Sequence, residues 1–148
     1  MRSGGCDADI TIFGATGFVG KLVAAYLAGA APELRIALAG RSADRLAAVR
    51  AGLGAKAGKW PLILADLSDT ASLAAMASRS RLVLNAVGPY SKYGLPVVEA
   101  CAAAGTDYAD LTGEVPFVRR SIDRCHARAI ETGARTVPEV DSPPTAFS

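Results

Sequence analysis

Gly14, Gly17 and Gly20 stand three residues apart, between the apolar run Ile10-Thr11-Ile12-Phe13 and an amphipathic stretch that contains Phe18 and Val19. Gly14 permits a sharp turn off a strand, Gly17 leaves no Cβ in the way of a ligand, and Gly20 lets a helix lie close to a sheet. The first turn of that helix, with Phe18 and Val19, has N–H groups without intrahelical acceptors, and the positive end of the helix dipole adds to them. The chemistry this predicts is anion binding, with a pyrophosphate as occupant. Thr16 brings a hydroxyl that can cap the helix or donate to a phosphate oxygen. The spacing is G-x-x-G-x-x-G rather than the commoner G-x-G-x-x-G. A glycine-rich turn without a ligand is therefore the alternative, and the flanking elements must decide.

Those elements alternate. Strand-like runs at Ile10–Phe13, Leu34–Ala39, Leu62–Ala65, Leu82–Val87 and Tyr108–Leu111 are separated by helical patterns. The first helix, from Gly17 to Leu27, presents Val19, Leu22, Val23, Tyr26 and Leu27 as its apolar face. The second places Leu46, Val49 and Leu53 inward, with Ser42 as cap. The third is short, with Leu73 and Met76 inward. The fourth opens at Pro96, carries Val98, Cys101 and Ala102, and stops near Gly105. A fifth starts near Pro116 with Val118, Ile122, Cys125 and Ala129 on one side. Its other side bears Arg120, Arg124 and Arg128, a stripe that reads as a solvated face or as an anion contact. Thr136-Val137 begins a sixth strand that runs into Pro138. This rhythm predicts an α/β fold, a doubly wound parallel sheet (Rossmann-like) of order 3-2-1-4-5. Residues 1–8 are expected as a disordered leader, 9–137 as the nucleotide-binding domain and 138–148 as an irregular proline-rich tail.

Such a sheet brings the loops after its strands to one edge: Gly14–Gly20, Gly40–Ser42, Asp66 and Gly88–Tyr93. Their convergence favours a dinucleotide over an empty turn. At the end of the second strand an NAD site usually carries an acid for the ribose 2′-hydroxyl. Here stand Gly40-Arg41-Ser42. Arg41 suits a 2′-phosphate through paired, charge-assisted hydrogen bonds, and Ser42 adds a donor. NADP(H) is therefore the expected cofactor. Asp44 fits better as a first-turn acid that complements the helix dipole. Asp66 either bonds the adenine amino group or caps the next turn. Ala86-Val87-Gly88 is small enough for the nicotinamide half to pass close, and Asn85 is either polar lining or a satisfied core amide.

The composition bounds the rest. At 148 residues with 51% hydrophobic and 20% charged residues, one globular domain is expected. A formal net charge of +2 gives no reason to expect nucleic acid. The sequence lacks an apolar run of the ~18 residues that a membrane span needs, and the start lacks the pattern of a signal peptide. Cys6, Cys101 and Cys125 have no metal-ligand spacing and read as reduced thiols, which points to the cytoplasm.

Four stretches carry a resemblance to the saccharopine dehydrogenase-like oxidoreductase family, and within it to the mycobacterial trans-acting enoyl reductases. They are Gly14–Gly20, Ala39-Gly40-Arg41-Ser42, Asn85–Tyr90 with Tyr93-Gly94, and Gly105–Glu114. The resemblance covers about residues 9–135. It implies an N-terminal NADP-binding domain, reduction with NADPH, and for the nearest relatives a role in cell-wall lipid and glycolipid biosynthesis; the expected setting is cytoplasmic, with a place peripheral to a membrane as the variant. It also implies an acyl-lipid substrate or a lipid-synthesis enzyme as partner. Similar proteins continue past Gly133-Ala134-Arg135 into a substrate domain, whereas this sequence runs into Pro138 and Pro143-Pro144. A cofactor half truncated before its substrate half is expected. It should self-associate through an unpaired sheet edge and through apolar residues of the last two helices, among them Val98, Cys101, Val118 and Ile122.

No catalytic residue is assigned. A short-chain dehydrogenase acting alone would need Tyr-x-x-x-Lys, and none of Tyr26, Tyr90, Tyr93 and Tyr108 has lysine four residues on. His126 reads as structural. Asp110 and Glu114 either anchor a substrate or the missing domain, or stabilise a turn. A non-catalytic NADP(H)-binding regulatory or redox-sensing module is the competing reading.

Overall fold

A computed structural model describes residues 6–87, 94–110, 131–134 and 136–137 of the chain. Six strands form one sheet, all joined in parallel: β1 (Ala8–Phe13), β2 (Ile36–Gly40), β3 (Leu62–Leu64), β4 (Ser80–Asn85), β5 (Asp107–Asp110) and β6 (Thr136–Val137). The spatial order is β3-β2-β1-β4-β5-β6. This is the expected doubly wound order with the sixth strand added beside β5, where Tyr108 pairs with Thr136 and Ala109 with Val137. The connecting helices are α1 (Phe18–Ala30), α2 (Ala43–Gly52), α3 (Thr70–Ser78) and α4 (Leu95–Ala104), with a 3₁₀ turn at Ala55–Ala57.

Strand alternation sends successive side chains to opposite faces, and two cores result. Ile12 points with Ile36 and Leu38 toward α1 and α2, where Ala24, Ala28 and Leu46 meet them. Phe13, Ala37, Ala39 and Val83 point the other way, against Leu73 and Met76 of α3 and Val97, Val98 and Cys101 of α4. Both faces of the sheet thereby carry helices, which is why its strands read as near-continuous apolar runs rather than as alternating ones.

Three expectations need correction. The strand begins at Ala8, and residues 6–8, expected in the leader, belong to the fold. Arg35 holds the Cys6 carbonyl at 3.2 Å, and Asp7 pairs with Arg79 at 2.5 Å. Cys6 is buried. Second, α1 meets the sheet with only part of its expected apolar face. Gly20, Ala24 and Ala28 are the buried positions and Val23 and Leu27 pack partly buried against the core, while Leu22 and Tyr26 are 56% and 71% exposed, and Val19 and Phe18 are also exposed. Small residues every four positions let the helix axis approach the strands closely, and that contact outweighs the burial of larger side chains farther out. Third, Val98 and Cys101 lie fully in the core and offer no sticky surface. The fifth helix pattern with Val118, Ile122, His126 and its arginine stripe lies outside the described residues, as does Glu114.

Strand ends also shift by a residue or two: β2 opens at Ile36, β4 at Ser80 and β5 at Asp107. Ser80 is pulled into the sheet by a buried hydroxyl pair with Thr11 at 2.5 Å, with its Oγ also placed 2.8 Å from the Met76 carbonyl.

Candidate cofactor site

A cleft of about 610 Å³ opens at the carboxyl edge of the sheet. Its walls come from four places in the chain: Phe13, Gly14, Thr16 and Gly17 after β1; Gly40 and Arg41 at the end of β2; Asp66, Leu67 and Ser68 after β3; and Ala86 and Val87 after β4. Three of the four loops expected to converge, those at Gly14–Gly20, Gly40–Ser42 and Asp66, thus meet, beside Ala86 and Val87. The fourth, Gly88–Tyr93, lies outside the described residues.

Each glycine of the first loop has a separate reason. Gly14 sits at φ +86°, and a Cβ there would also stand 2.6 Å from Val87 Cγ2. A Cβ on Gly20 would stand 2.1 Å from the Gly14 carbonyl oxygen, so no side chain fits between α1 and the turn. Gly17 is different: its nearest neighbour to a Cβ is the Gly14 oxygen at 3.5 Å, an ordinary contact. The protein's own packing therefore does not require glycine at 17. Its bare backbone is left facing the cleft.

The start of α1 is equipped for an anion. Gly17 is its N-cap and provides no side-chain hydrogen bond, and no acid lies in the first turn. Thr16 does not cap the helix; it lines the cleft. Neither the Phe18 nor the Val19 side chain lines the cleft: Phe18 is exposed, and Val19 borders a separate groove beside α1. By contrast α2 is capped by Ser42, whose Oγ accepts the Arg45 N–H at 3.3 Å, with Asp44 in the first turn. α3 is capped by Asp69, which accepts the Ser72 N–H at 3.2 Å.

Arg41 is exposed on the cleft wall, while Ser42 spends its acceptor on the α2 cap. Asp66 sits across from Arg41. Its Oδ1 accepts the Ser68 N–H at 3.0 Å, and this bond, helped by the Arg41 charge, holds the carboxyl below the usual carboxylate range. The turn-capping role weighed for Asp66 is therefore realised, and the residue lines the cleft as well.

Asn85, at the end of β4, is fully buried. Its amide nitrogen donates to the Tyr108 hydroxyl at 3.2 Å and its Oδ1 accepts the Val87 N–H at 3.0 Å. The Tyr108 hydroxyl donates to Asp110 Oδ2. Asp110 is likewise fully buried, so it is no surface anchor. Burial first, and the Asp110 carboxylate second, push the Tyr108 phenol far above its ordinary range, so it stays protonated. Sequence reasoning left this cluster out. Its signal was the i, i+2 placement of Tyr108 and Asp110, which puts both on one face of a strand.

An NADP-binding domain is what these features define: a glycine turn into an uncapped helix at the carboxyl edge of a doubly wound sheet, with arginine in place of an acid after β2. The family model of the saccharopine dehydrogenase NADP binding domain matches residues 10–137, and the chain belongs to that family. It is 60% identical over 129 residues to a trans-acting enoyl reductase of Mycobacterium tuberculosis, covering 87% of this chain and 31% of the relative. The chain thus spans about a third of the length of such relatives. In fold it resembles saccharopine dehydrogenase (L-Glu forming) of Saccharomyces cerevisiae, at 18% identity and a TM-score of 0.71, over 90% of this chain and 27% of that one. It also resembles the Citrobacter sp. triphenylmethane reductase in complex with NADP(H), at 17% identity and a TM-score of 0.60, over 88% and 48% of the two chains. Among the described residues no helix is long and apolar enough to cross a membrane.

Proposed function

We propose that the chain holds NADPH for an oxidoreductase of the trans-acting enoyl reductase type, in lipid or glycolipid biosynthesis. The observation that carries this reading is the 60% identity to such a reductase over 129 residues, together with the family match over residues 10–137, which spans the described walls of the cleft. The pyrophosphate would lie on Gly14, Gly17 and the N–H groups of Phe18, Val19 and Gly20, with the Thr16 hydroxyl beside it. Arg41 would hold the 2′-phosphate, and Ser42 retains a hydroxyl hydrogen to donate to it. Asp66 would face the adenine, and Ala86, Val87 and Gly88 the nicotinamide half. The open space at Gly17 and the missing cap of α1 suit that ligand. NADPH, when bound, supplies hydride to the enoyl carbon, and the protein's part is to orient it and exclude water.

The titratable groups among the described cleft residues are Arg41 and Asp66, both at the adenosine end. This supports a division of labour in which the acyl-binding wall and any proton donor come from further polypeptide, and the chain alone does not turn over. It equally suits the second reading, a regulatory or redox-sensing module that binds NADP(H) without catalysis. The substrate would be an acyl lipid, and the setting cytoplasmic, peripheral to a membrane.

The same reading includes self-association, with a second copy covering α1. Phe18, Leu22 and Tyr26 form an exposed apolar face. Val19, Leu22 and Tyr26 also line a groove whose floor is Ile10, Leu82 and Leu84. Contiguous apolar surface of this kind marks an interface. Light scattering at micromolar concentration should find species larger than a monomer, reduced to monomer by Leu22→Glu.

The test of the cofactor reading is a fluorescence titration of the purified chain with NADPH and NADH, followed by an assay with an enoyl thioester. NADPH should bind tighter by roughly ten- to hundredfold, since a hydrogen bond to a charged group contributes ~1.5–3 kcal/mol. Equal affinities would remove the 2′-phosphate assignment. A monomer that oxidises NADPH with the thioester unaided would overturn the division of labour.

A further inference from the structure

Asn85, Tyr108 and Asp110 form a buried polar line that no packing need explains, because apolar residues of similar volume would be cheaper to bury. Its position is informative. Asn85 pairs with Asp110 in the β4–β5 register, at the carboxyl ends of both strands. The line ends on the Val87 N–H at 3.0 Å. Val87 in turn packs on the turn that carries the pyrophosphate loop, with its Cγ2 only 2.6 Å from where a Gly14 Cβ would be. The neighbouring Ala86 N–H bonds the Phe13 carbonyl at 2.8 Å.

The bonding has one sense. A phenol has one hydrogen, and Tyr108 gives it to Asp110. Its lone pairs then accept, and they require the NH₂ side of the Asn85 amide. The amide is thereby turned so that its oxygen meets the Val87 N–H. A flipped amide would set donor against donor at Val87.

We propose that Asn85, Tyr108 and Asp110 are positioning residues, which fix the Ala86–Val87 backbone as the wall for the nicotinamide half of NADP(H). The backbone they bond, at Val87, lies on the wall given to that half, whereas Arg41 and the α1 start would hold the rest, so the effect should fall first on the nicotinamide half. This rests on the cofactor reading above.

The test compares two ligands on the full chain: NADPH, which has the nicotinamide half, and adenosine 2′,5′-bisphosphate, which lacks it. The variants are Tyr108→Phe and the double variant Tyr108→Phe with Asp110→Asn, which removes the buried charge that the single change strips of its phenol donor. In folded variants NADPH should weaken about tenfold, the worth of one buried hydrogen bond. The bisphosphate should stay within twofold, and the emission shift of bound NADPH should shrink. Equal weakening of both ligands, or no change in either, would overturn the proposal. In the unmodified chain, amide exchange at Val87 should slow with NADPH and not with the bisphosphate; the same slowing with both would also overturn it, even if neither variant folds. Failure of the unmodified chain to bind the bisphosphate would instead refute the cofactor reading itself.

Discussion

The start of α1 and the starts of α2 and α3 face the same edge of the sheet and are finished differently. α2 has Ser42 as cap and Asp44 in its first turn; α3 has Asp69. α1 has a glycine cap without a side chain and no acid. Each finished start satisfies one free N–H with its own cap side chain and sets an acid beside the dipole, at a gain of about 1 kcal/mol per cap. α4 likewise starts on a glycine, Gly94, without a side-chain bond or an acid, but with Pro96 in its first turn. Of these two unfinished starts, the one at Gly17 lines the cleft. The lesson is that the start of α1 leaves room and N–H groups for a ligand that provides the negative charge.

The sharpest way to break this comparison is at the two glycines that flank the α1 start. Gly17→Val should abolish measurable NADPH binding, a loss of more than about hundredfold or ~2.7 kcal/mol, with thermal stability little changed because the new side chain enters the cleft. Gly20→Val should do the opposite. Its side chain collides with the Gly14 carbonyl, and the cost should be roughly 3 kcal/mol or more of stability. Thermal melts beside titrations separate the two outcomes, and a folded Gly17→Val protein with unchanged affinity would place the phosphates elsewhere.

Arg41→Ala should erase the preference for NADPH over NADH, a change of about ten- to hundredfold in the ratio of their dissociation constants. Smaller again are the caps. Ser42→Ala and Asp69→Ala should each lower stability by about 1 kcal/mol, whereas Thr16→Ala should change it by less than ~0.5 kcal/mol, because Thr16 caps nothing. Equal losses at all three would erase the distinction between finished and unfinished helix starts.

The smallest effect lies at the opposite edge of the sheet, far from the cleft. Asp9 accepts the Arg35 backbone N–H at 2.9 Å, and that bond, with the Arg35 guanidinium, lowers its carboxyl from the ordinary value. A lowered carboxyl contributes stability that is complete above the unfolded value, ~3.9. It is lost as pH falls through the folded value. Asp9→Asn should therefore cost stability at pH 7 and nothing in strong acid. The difference should be under about 1 kcal/mol because Arg35 is exposed and water screens the pair. Urea melts at both pH values would read it.

Much of this was legible in the residues. Alternating runs fix the strand order, Gly14-x-x-Gly17-x-x-Gly20 marks the turn, and Arg41 after β2 stands on the cleft wall, where it is proposed to meet the 2′-phosphate. The orientation of α1 was not. Periodicity tells which residues share a face; it does not tell whether that face meets the sheet. Val19, Leu22, Val23, Tyr26 and Leu27 formed the apolar stripe, yet only Val23 and Leu27 pack on the core, and Gly20, Ala24 and Ala28 lie deepest because contact with the turn at Gly14 leaves no room for a Cβ at Gly20. Ser42 illustrates a second limit: the residue type fits a cap and a phosphate donor alike, and the Arg45 N–H contact shows the cap while leaving the donor role open. The Asn85–Tyr108–Asp110 line escaped because it joins two strands, and pairing between distant segments is invisible in either one.

The most direct test of the central claim is amide NMR of the chain as NADP⁺ is added. The account predicts that the largest shifts fall on the amides of Phe18, Val19 and Gly20, whose N–H groups gain a phosphate acceptor. The Arg45 and Ser72 amides, already bonded to Ser42 and Asp69, should move less. Shifts centred on Arg45 and Ser72 with Phe18 to Gly20 unmoved would contradict it.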